Sequence, residues 1–139
     1  MSEIDSSTVQ AYLETDYCVA AAAPFVLKVG AASAALASLY RKHRTDCCAF
    51  ITACNPYSRI VGDQENAERQ AELARELNQL GLTFFDGVGR HPAGGWPEEP
   101  GYLVLGLSLA AAKALGEKHR QNAIVWCGPG AMPELILLR

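Results

Sequence analysis

The chain has 139 residues, of which 50% are hydrophobic and 19% charged, and its formal net charge at pH 7 is -3. This length predicts a single domain over residues 1–139, with enough apolar surface for one core. The slightly acidic charge balance argues against a dedicated nucleic-acid binder, because it offers no general attraction for polyanions.

The cysteines and the first residues of the chain indicate the cellular compartment in which the protein is found. Five cysteines, an odd number, occur mostly inside apolar runs, and none has the spacing of a zinc site. They predict buried free thiols, and we expect neither a metal nor a cofactor. The polar, acidic start and the short apolar stretch at residues 18–27 predict neither export nor membrane insertion. Together these features favour a cytoplasmic location.

The first part of the chain predicts a short helix, two strands, a longer helix and a third strand. Residues 8–13 indicate the opening helix, and residues 17–20 and 25–29 have the composition of strands that could pair as a hairpin. Residues 31–44 carry leucines at helical spacing among alanines and end in cations, as a helix C-terminus prefers. The apolar run at residues 47–53 predicts a buried central strand.

The clearest helix covers residues 63–80, with an acidic first turn, leucines on one face and Gly81 placed to end it. Residues 82–85 predict a strand, and the glycine- and proline-rich segment 87–101 predicts a flexible loop. A strand, a helix and two more strands follow. They cover residues 102–105, 108–118, 122–126 and 135–138.

Two stretches of the chain share one layout. The strand ending at Gly30 is followed twelve residues later by a Lys-His-Arg triplet that starts at Lys42. The strand ending at Gly106 is followed, at the same spacing, by a triplet that starts at Lys118. Both stretches predict a strand, an alanine-rich helix and a buried strand, and so indicate two similar β-α-β units. Convergence explains the match equally well, since any such unit needs a glycine turn and cations at the helix end.

The order of these elements predicts an α+β fold. We expect a two-layer sandwich in which a mixed sheet of about five to seven strands carries three main helices. The sheet is expected to be mixed because β-α-β crossovers produce locally parallel strands.

Four segments carry a resemblance to a known family. They are AFITACNP at residues 49–56, Glu65-Asn66, GGWPEE at residues 94–99 and QNAIVW at residues 121–126. They resemble a bacterial family catalogued only as a domain of unknown function, DUF3293, over nearly the whole chain. Because no activity is established for that family, the resemblance implies no catalytic residue and no cofactor. Cys54 stands where an aromatic residue is expected, so the resemblance does not support this thiol as a shared nucleophile.

Polar residues after the central strand are candidate ligand contacts. Asn55 and Ser58 follow a buried strand, where ligands bind in open α/β sheets, although Asn before Pro also starts an ordinary turn. Asn66 and Arg69 lie in the first turns of the next helix, whose free N–H groups could complete a small anion site. Arg69 is equally suited to a surface ion pair with Glu65, four residues before it.

The segment 87–101 contains the remaining candidates, Arg90, His91, Trp96 and Glu98. It places a guanidinium, an imidazole, an indole and a carboxylate in one loop. It lacks the glycine patterns that cradle phosphates, and His91 has no partner at a triad or metal spacing. The indole suits a lid or recognition side chain, or a plug at the edge of the core.

Two functions remain open at this point, and the sequence does not decide whether the protein is an enzyme. In the first, the Asn55 loop and the segment 90–99 form one cleft that binds a small polar or phosphorylated ligand. In the second, the domain is a non-enzymatic interaction module whose Trp96, Pro97 and Pro100 contact a protein partner. Convergence of the two loops at a pocket would favour the first function, and a convex surface would favour the second.

Overall fold

A computed structural model describes residues 4–94 and 97–139. The strands of this part of the chain are β1 Asp16–Val19, β2 Phe25–Leu27, β3 Cys48–Ile51, β4 Phe84–Arg90, β5 Glu99–Leu105, β6 Ala123–Cys127 and β7 Pro133–Leu137. All seven form one sheet in the order β2-β1-β4-β5-β3-β6-β7. Every neighbouring pair in this sheet is antiparallel.

The helices lie close to where the sequence predicts them. Within the described residues they are α1 Ser6–Glu14, α2 Ala34–His43, α3 Asp63–Gln79, α4 Leu109–Lys118 and the short 3-10 turn Pro56–Ser58. Two helix starts are capped as their sequences suggest, because the Oγ atoms of Ser33 and Ser108 accept hydrogen bonds from the backbone N–H three residues later. The opening segment, predicted as a short helix over residues 8–13, forms a nine-residue helix, so the described residues contain four α-helices and not only the three main ones.

The sheet curls into a half-barrel. On its concave face the ring of Phe50 lies across two glycines of neighbouring strands. A Cβ atom on either Gly87 or Gly101 would approach this ring to 2.5 Å. The two edge strands also approach each other, because the backbone N–H of Gly30, three residues after β2, donates to the carbonyl of Pro133, the first residue of β7, at 2.9 Å. Because Gly87 and Gly101 have no side chains, β4 and β5 can bend around the bulky ring of Phe50.

Both faces of the curled sheet are covered. On the concave face, Leu36 and Tyr40 of α2 pack into the core formed by strand residues such as Leu103. On the convex face, Leu77 of α3 and Leu115 of α4 pack into a second core. Because helices lie on both faces, the α+β fold is not the predicted two-layer sandwich.

The prediction of a mixed sheet is wrong. Each predicted β-α-β segment is present, but its two strands are not neighbours: β3 lies between β5 and β6, and three strands lie between β2 and β3. The strands of each segment run in the same direction without pairing, because an odd number of strands, three in the first segment and one in the second, separates them in an antiparallel sheet.

The two segments nevertheless share unusual backbone angles. Gly30 and Gly106, which follow the first strand of each segment, have φ of 86° and 72°. Arg44 and Arg120, the last residues of the two Lys-His-Arg triplets, have φ of 54° and 58°. Similar turns therefore precede and follow both crossover helices, which accounts for the glycines at these two positions.

The segment 87–101 is not one flexible loop. Residues up to Arg90 continue β4, and β5 begins at Glu99, so the two strands form a hairpin joined by residues 91–98. Gly87 of β4 and Gly101 of β5 occupy strand positions where the backbone lies close to the Phe50 ring. No helix in the described part of the chain is long and apolar enough to cross a membrane.

Candidate functional site

A cavity of about 270 Å³ opens at one end of the concave face. The helix α2 fills the opposite end of that face, and α1 covers the cavity. The floor is apolar and comes from the strands, and most of the rim is polar. The floor includes Tyr17, Phe50, Val125 and Leu135, and the rim includes Tyr12, Thr52, Asn55, Ser58, His91, Glu99 and Gln121.

The turn after β3 brings two of these rim residues to the cavity. Asn55, Tyr57 and Ser58 all have positive φ, of 46°, 55° and 59°. Hydrogen bonds hold this conformation, because the backbone N–H of Tyr57 donates to the Arg120 carbonyl at 2.7 Å and that of Ser58 to the Asn55 carbonyl at 2.8 Å. Three non-glycine residues in a left-handed conformation are costly, and such clusters are typical of functional sites.

Asn55 is the centre of a buried hydrogen-bond network and is only 5% exposed. Its backbone N–H donates to Asn66 Oδ1 at 2.8 Å, and its Oδ1 accepts from Asn66 Nδ2 at 3.0 Å and from the backbone N–H of Val61 at 3.1 Å. Its Nδ2 donates to Glu99 Oε2 at 2.9 Å. The amide is therefore held in one orientation from α3, and it holds Glu99 in turn.

Glu99 is the acidic group of the cavity. It is the first residue of β5, and the alternation of this strand places it on the concave face with Gly101 and Leu103. Burial raises the pKa of this carboxyl to about 7, against the opposing effect of the hydrogen bond from Asn55. A change of pH near neutrality therefore changes the charge of the cavity.

This raised pKa predicts how stability depends on pH. Below its ordinary pKa, Glu99 is protonated in both the folded and the unfolded chain, and its contribution to stability is fully present. As the pH rises through about 7, the folded protein must ionise a buried carboxyl and this contribution is lost. We expect a loss of about 2 kcal/mol in the free energy of unfolding, discounted for the partial exposure of the side chain.

Urea denaturation of the wild type and Glu99→Gln, between about pH 4 and about pH 8, measures this loss. The variant cannot ionise, so it should become the more stable of the two proteins at the alkaline end. A stability difference that does not change with pH would contradict the prediction.

The hydroxyl of Ser58 is already engaged. It hydrogen-bonds to the hydroxyl of Tyr12 on α1 and accepts from Asn122 Nδ2 at 3.1 Å. Neither partner is a base that could remove the serine proton. Ser58 therefore joins α1 to Asn122, the residue before β6, and can contact a ligand, but it is not arranged as a nucleophile.

The imidazole of His91 lines the cavity just beyond the end of β4. Its Nδ1 accepts from the backbone N–H of Ala93 at 3.2 Å, and its Nε2 lies 3.0 Å from Glu14 Oε1. This arrangement assigns the ring proton to Nε2. The hydrogen bond from His91 is the largest of the effects that lower the pKa of Glu14. Both ring nitrogens are thus committed to the loop and to α1.

The predicted site residues fall into two groups. Asn55, Ser58 and His91 line the cavity, so the Asn55 loop and the hairpin do converge there. Asn66 is not part of the lining but supports it through Asn55.

The other predicted residues do not line the cavity, and Trp96 lies outside the described residues. Arg69 forms an exposed ion pair with Glu65 at 3.0 Å, which was the alternative for this residue. Arg90 and Glu98 are paired with each other at 2.7 Å, on the convex side of the hairpin. Arg90 points away from the cavity because it follows Gly89 on β4, and consecutive side chains of a strand lie on opposite faces of the sheet.

The sequence reasoning missed Glu99, although a signal was available. Every second residue of a strand lies on the same face of the sheet. The buried Leu105 and Leu103 therefore share their face with Gly101 and Glu99, so a carboxylate occupies an inward position. The predicted strand began at residue 102, three residues too late for this count to reach the carboxylate. Proline at position 100 and the glycines nearby indicate a loop instead.

An outer groove lies behind the Asn55–Glu99 hydrogen bond, between β5 and the first turns of α3. Gln70 lines this groove and is 8% exposed. Its Oε1 accepts from the backbone N–H of Ala53 at 3.0 Å, which sets the orientation of the amide. Its Nε2 has no hydrogen-bond partner among the described residues. Asn55 and Glu99 line both the groove and the cavity, so their hydrogen-bonded side chains separate the two spaces.

The fold and the site define a class of protein: an α+β domain whose curled antiparallel sheet encloses a small cavity, with one carboxylate among the described residues that line it. The profile of a family described as "Protein of unknown function (DUF3293)" matches residues 51–124, more than half of the chain. The chain belongs to this family. Asn55, Asn66 and Glu99 all lie in the matched segment. No curated protein and no solved structure matches the chain.

Proposed function

We propose that this protein binds a small molecule with an apolar body and a polar end in the cavity beneath α1. The observation that carries the proposal is the cavity itself, with an apolar floor and a hydrogen-bonding rim. Ligand sites in proteins have this combination, in which apolar walls bind the body and a few polar groups orient it. The strained turn at Asn55 also supports a binding role, because it holds the rim in place before a ligand arrives.

The size of the cavity limits the ligand. Its volume of about 270 Å³ is nearly twice the ~150 Å³ of an apolar cavity that takes benzene. A one-ring or two-ring molecule with a short polar arm would fit. Larger nucleotide cofactors would not be enclosed.

The charges around the cavity argue against a phosphorylated ligand. No lysine or arginine lines it within residues 4–94 and 97–139, and its lining includes the carboxylate of Glu99. Phosphate sites need cations or free backbone N–H groups, and a carboxylate repels the anion. The polar end of the ligand is therefore not a phosphate.

The contacts of the hydroxyl and imidazole groups support binding rather than nucleophilic catalysis, because Ser58 lacks an adjacent base and His91 is hydrogen-bonded elsewhere. The cysteines Cys18, Cys47, Cys48, Cys54 and Cys127 are all free thiols. They support a reducing compartment such as the cytoplasm as the place where binding occurs.

A cavity-filling substitution tests the proposal. Gly89 lines the cavity, and a Cβ atom added to it meets no atom closer than 3.6 Å. Gly89→Leu should therefore fold and occupy the space of the ligand, while Gly89→Ala is the matched control that adds only a methyl group. We expect the wild type and Gly89→Ala to bind the neutral probes 2-phenylethanol and tryptophol, and Gly89→Leu to lose at least tenfold in affinity.

Chemical-shift changes in NMR spectra of the labelled protein measure these affinities and locate the probes. Shifts confined to the cavity lining, and absent in Gly89→Leu, support the proposal. Binding that is equal in all three proteins would place the probes elsewhere and refute it. Absence of binding of both probes to all three proteins would favour the alternative function, a protein-interaction module that uses Trp96, Pro97 and Pro100.

A further inference from the structure

We propose that the cavity selects ligands with a primary amine or a similar cationic hydrogen-bond donor, which pairs with the free carboxylate oxygen of Glu99. This inference rests on the proposed function and names the chemistry of the ligand's polar end. It follows from the arrangement of one acidic group in an otherwise uncharged and largely apolar enclosure.

The two carboxylate oxygens of Glu99 differ in their hydrogen bonds. Oε2 accepts the hydrogen bond from Asn55 Nδ2 at 2.9 Å. Oε1 accepts no hydrogen bond from any described residue, although the side chain is only partly exposed and lines the cavity. A partly desolvated carboxylate oxygen favours a donor, and a charged donor gives the stronger hydrogen bond.

The position of this oxygen is fixed by the hydrogen bonds of Asn55. Asn55 is held by Asn66 and by the backbone of Val61, so it cannot rotate to follow another partner. The carboxylate is thus presented in one orientation toward the cavity. A group held in this way loses little conformational entropy when a ligand binds, and this makes it suitable for selecting one kind of polar end.

The surroundings of the carboxylate contain few positive charges. Within the described part of the chain, neither Lys nor Arg is among the residues that line the cavity or the groove behind it. The titratable groups that line these two spaces with Glu99 are Tyr12 of α1, Tyr17 of β1, His91 after β4, Cys54 after β3, Asp63 of α3 and Glu98. Asp63 adds negative charge on the groove side, while the charge of Glu98 is balanced by its ion pair with Arg90 at 2.7 Å. This set favours a cationic ligand over an anionic one.

Amine binding should also depend on pH. An amine pairs with the ionised form of Glu99, and this carboxyl has a raised pKa of about 7 because of burial. The fraction in the ionised form falls tenfold for each pH unit below the pKa. The affinity for an amine should therefore be greatest on the alkaline side of neutrality and fall in weak acid.

The experiment compares three probes that share one ring and differ in the polar end: 2-phenylethylamine, 2-phenylethanol and phenylacetate. Tryptamine, tryptophol and indole-3-acetate form a second series with a larger ring. Affinities are measured by NMR titration between about pH 5.5 and about pH 8 with the wild type, Glu99→Gln and His91→Gln. The last variant separates the imidazole from the carboxylate as the source of any pH dependence.

We expect the amine to bind the wild type at least tenfold more tightly than the alcohol at about pH 8, and to lose roughly tenfold or more by about pH 5.5. Glu99→Gln should bind the amine and the alcohol equally well at every pH, while His91→Gln should keep the wild-type preference. These results together would establish amine selection by Glu99.

Two outcomes would overturn the inference and leave the cavity as a binding site. One is equal binding of the alcohol and the amine by the wild type; the other is tightest binding of the carboxylate, which would mean that a protonated Glu99 acts as a donor. If no probe binds the wild type, the inference and the proposed function both fail. Binding of the two alcohols, 2-phenylethanol and tryptophol, thus shows whether the cavity binds ligands at all, independently of whether it prefers amines.

Discussion

Gly87→Ala should destabilise the protein by about 3 kcal/mol or more, or prevent folding altogether. The new methyl carbon would lie 2.7 Å from the backbone oxygen of Cys18 and 2.5 Å from the Phe50 ring. The oxygen cannot move aside, because β1 is hydrogen-bonded to β2 on one side and to β4 on the other. Urea denaturation of the purified variant measures the loss.

Gly89→Ala is the matched control for this prediction. Gly89 lies two residues further along the same strand and faces the same side, but a methyl carbon there meets only ordinary contacts of 3.6 Å and beyond. This substitution should change the free energy of unfolding by no more than about 0.5 kcal/mol, since it also restricts the unfolded chain. Similar losses in the two variants would mean that the close approach at Gly87 is not the cause.

A second comparison isolates the aromatic ring. A methyl carbon on Gly101 would meet the Phe50 ring at 2.5 Å and the nearest backbone oxygen, that of Ile51, only at 3.2 Å. In a Phe50→Leu background, Gly101→Ala should therefore cost less than it does alone, while Gly87→Ala should keep most of its cost. A double-mutant cycle measures the two coupling energies. Equal coupling at the two glycines would contradict this account of the curl.

Asn55→Ala should destabilise the protein by about 4 kcal/mol. The substitution removes the partner of Asn66 Nδ2, of the Val61 backbone N–H and of Glu99 Oε2. Each buried group left without a partner costs about 1–3 kcal/mol. Alanine at a φ of 46° adds a further ~1 kcal/mol, because its Cβ atom is strained in the left-handed region.

Asn55→Gly separates the two causes. Glycine loses the same side-chain hydrogen bonds but accepts the positive φ, so this variant should be more stable than Asn55→Ala by about 1 kcal/mol. Thermal and urea unfolding of both variants provide the comparison. If the two variants were equally stable, the backbone at position 55 would not be strained, and a total loss below about 1 kcal/mol would contradict the network itself.

Asn55 also connects stability to the proposed binding site. Its hydrogen bond lowers the pKa of Glu99, in opposition to the effect of burial. Without it, Glu99 should stay protonated to a higher pH and pair less well with an amine. The residue identified from the sequence as a ligand contact is therefore more fully described as the group that positions the carboxylate.

The predictions that succeeded rest on local patterns. The helix α3 was predicted from the spacing of its leucines and the acidic residues of its first turn, and α2 and α4 from their alanine-rich faces. Glycine at the strand-to-helix turns was correctly interpreted as a backbone requirement, as the positive φ of Gly30 and Gly106 shows. These features depend on residues within a few positions of one another.

The predictions that failed depend on residues far apart in the chain. Glycines at positions 87 and 101 look like loop residues in isolation, and only the ring of Phe50 from another strand explains them as strand residues. The same error ended β4 too early and began β5 too late, and so concealed the inward position of Glu99.

The sequence by itself determined the α+β class, the places of the helices and the polar character of the turn after β3. The tertiary structure alone decided the antiparallel order of the sheet, its curl and the choice of Glu99 rather than Glu98 as the carboxylate of the cavity. The physical reason is that helical periodicity and turn chemistry are local, while strand order is set by pairing between distant segments. Within a strand, a shift of one residue reverses the face on which every side chain lies.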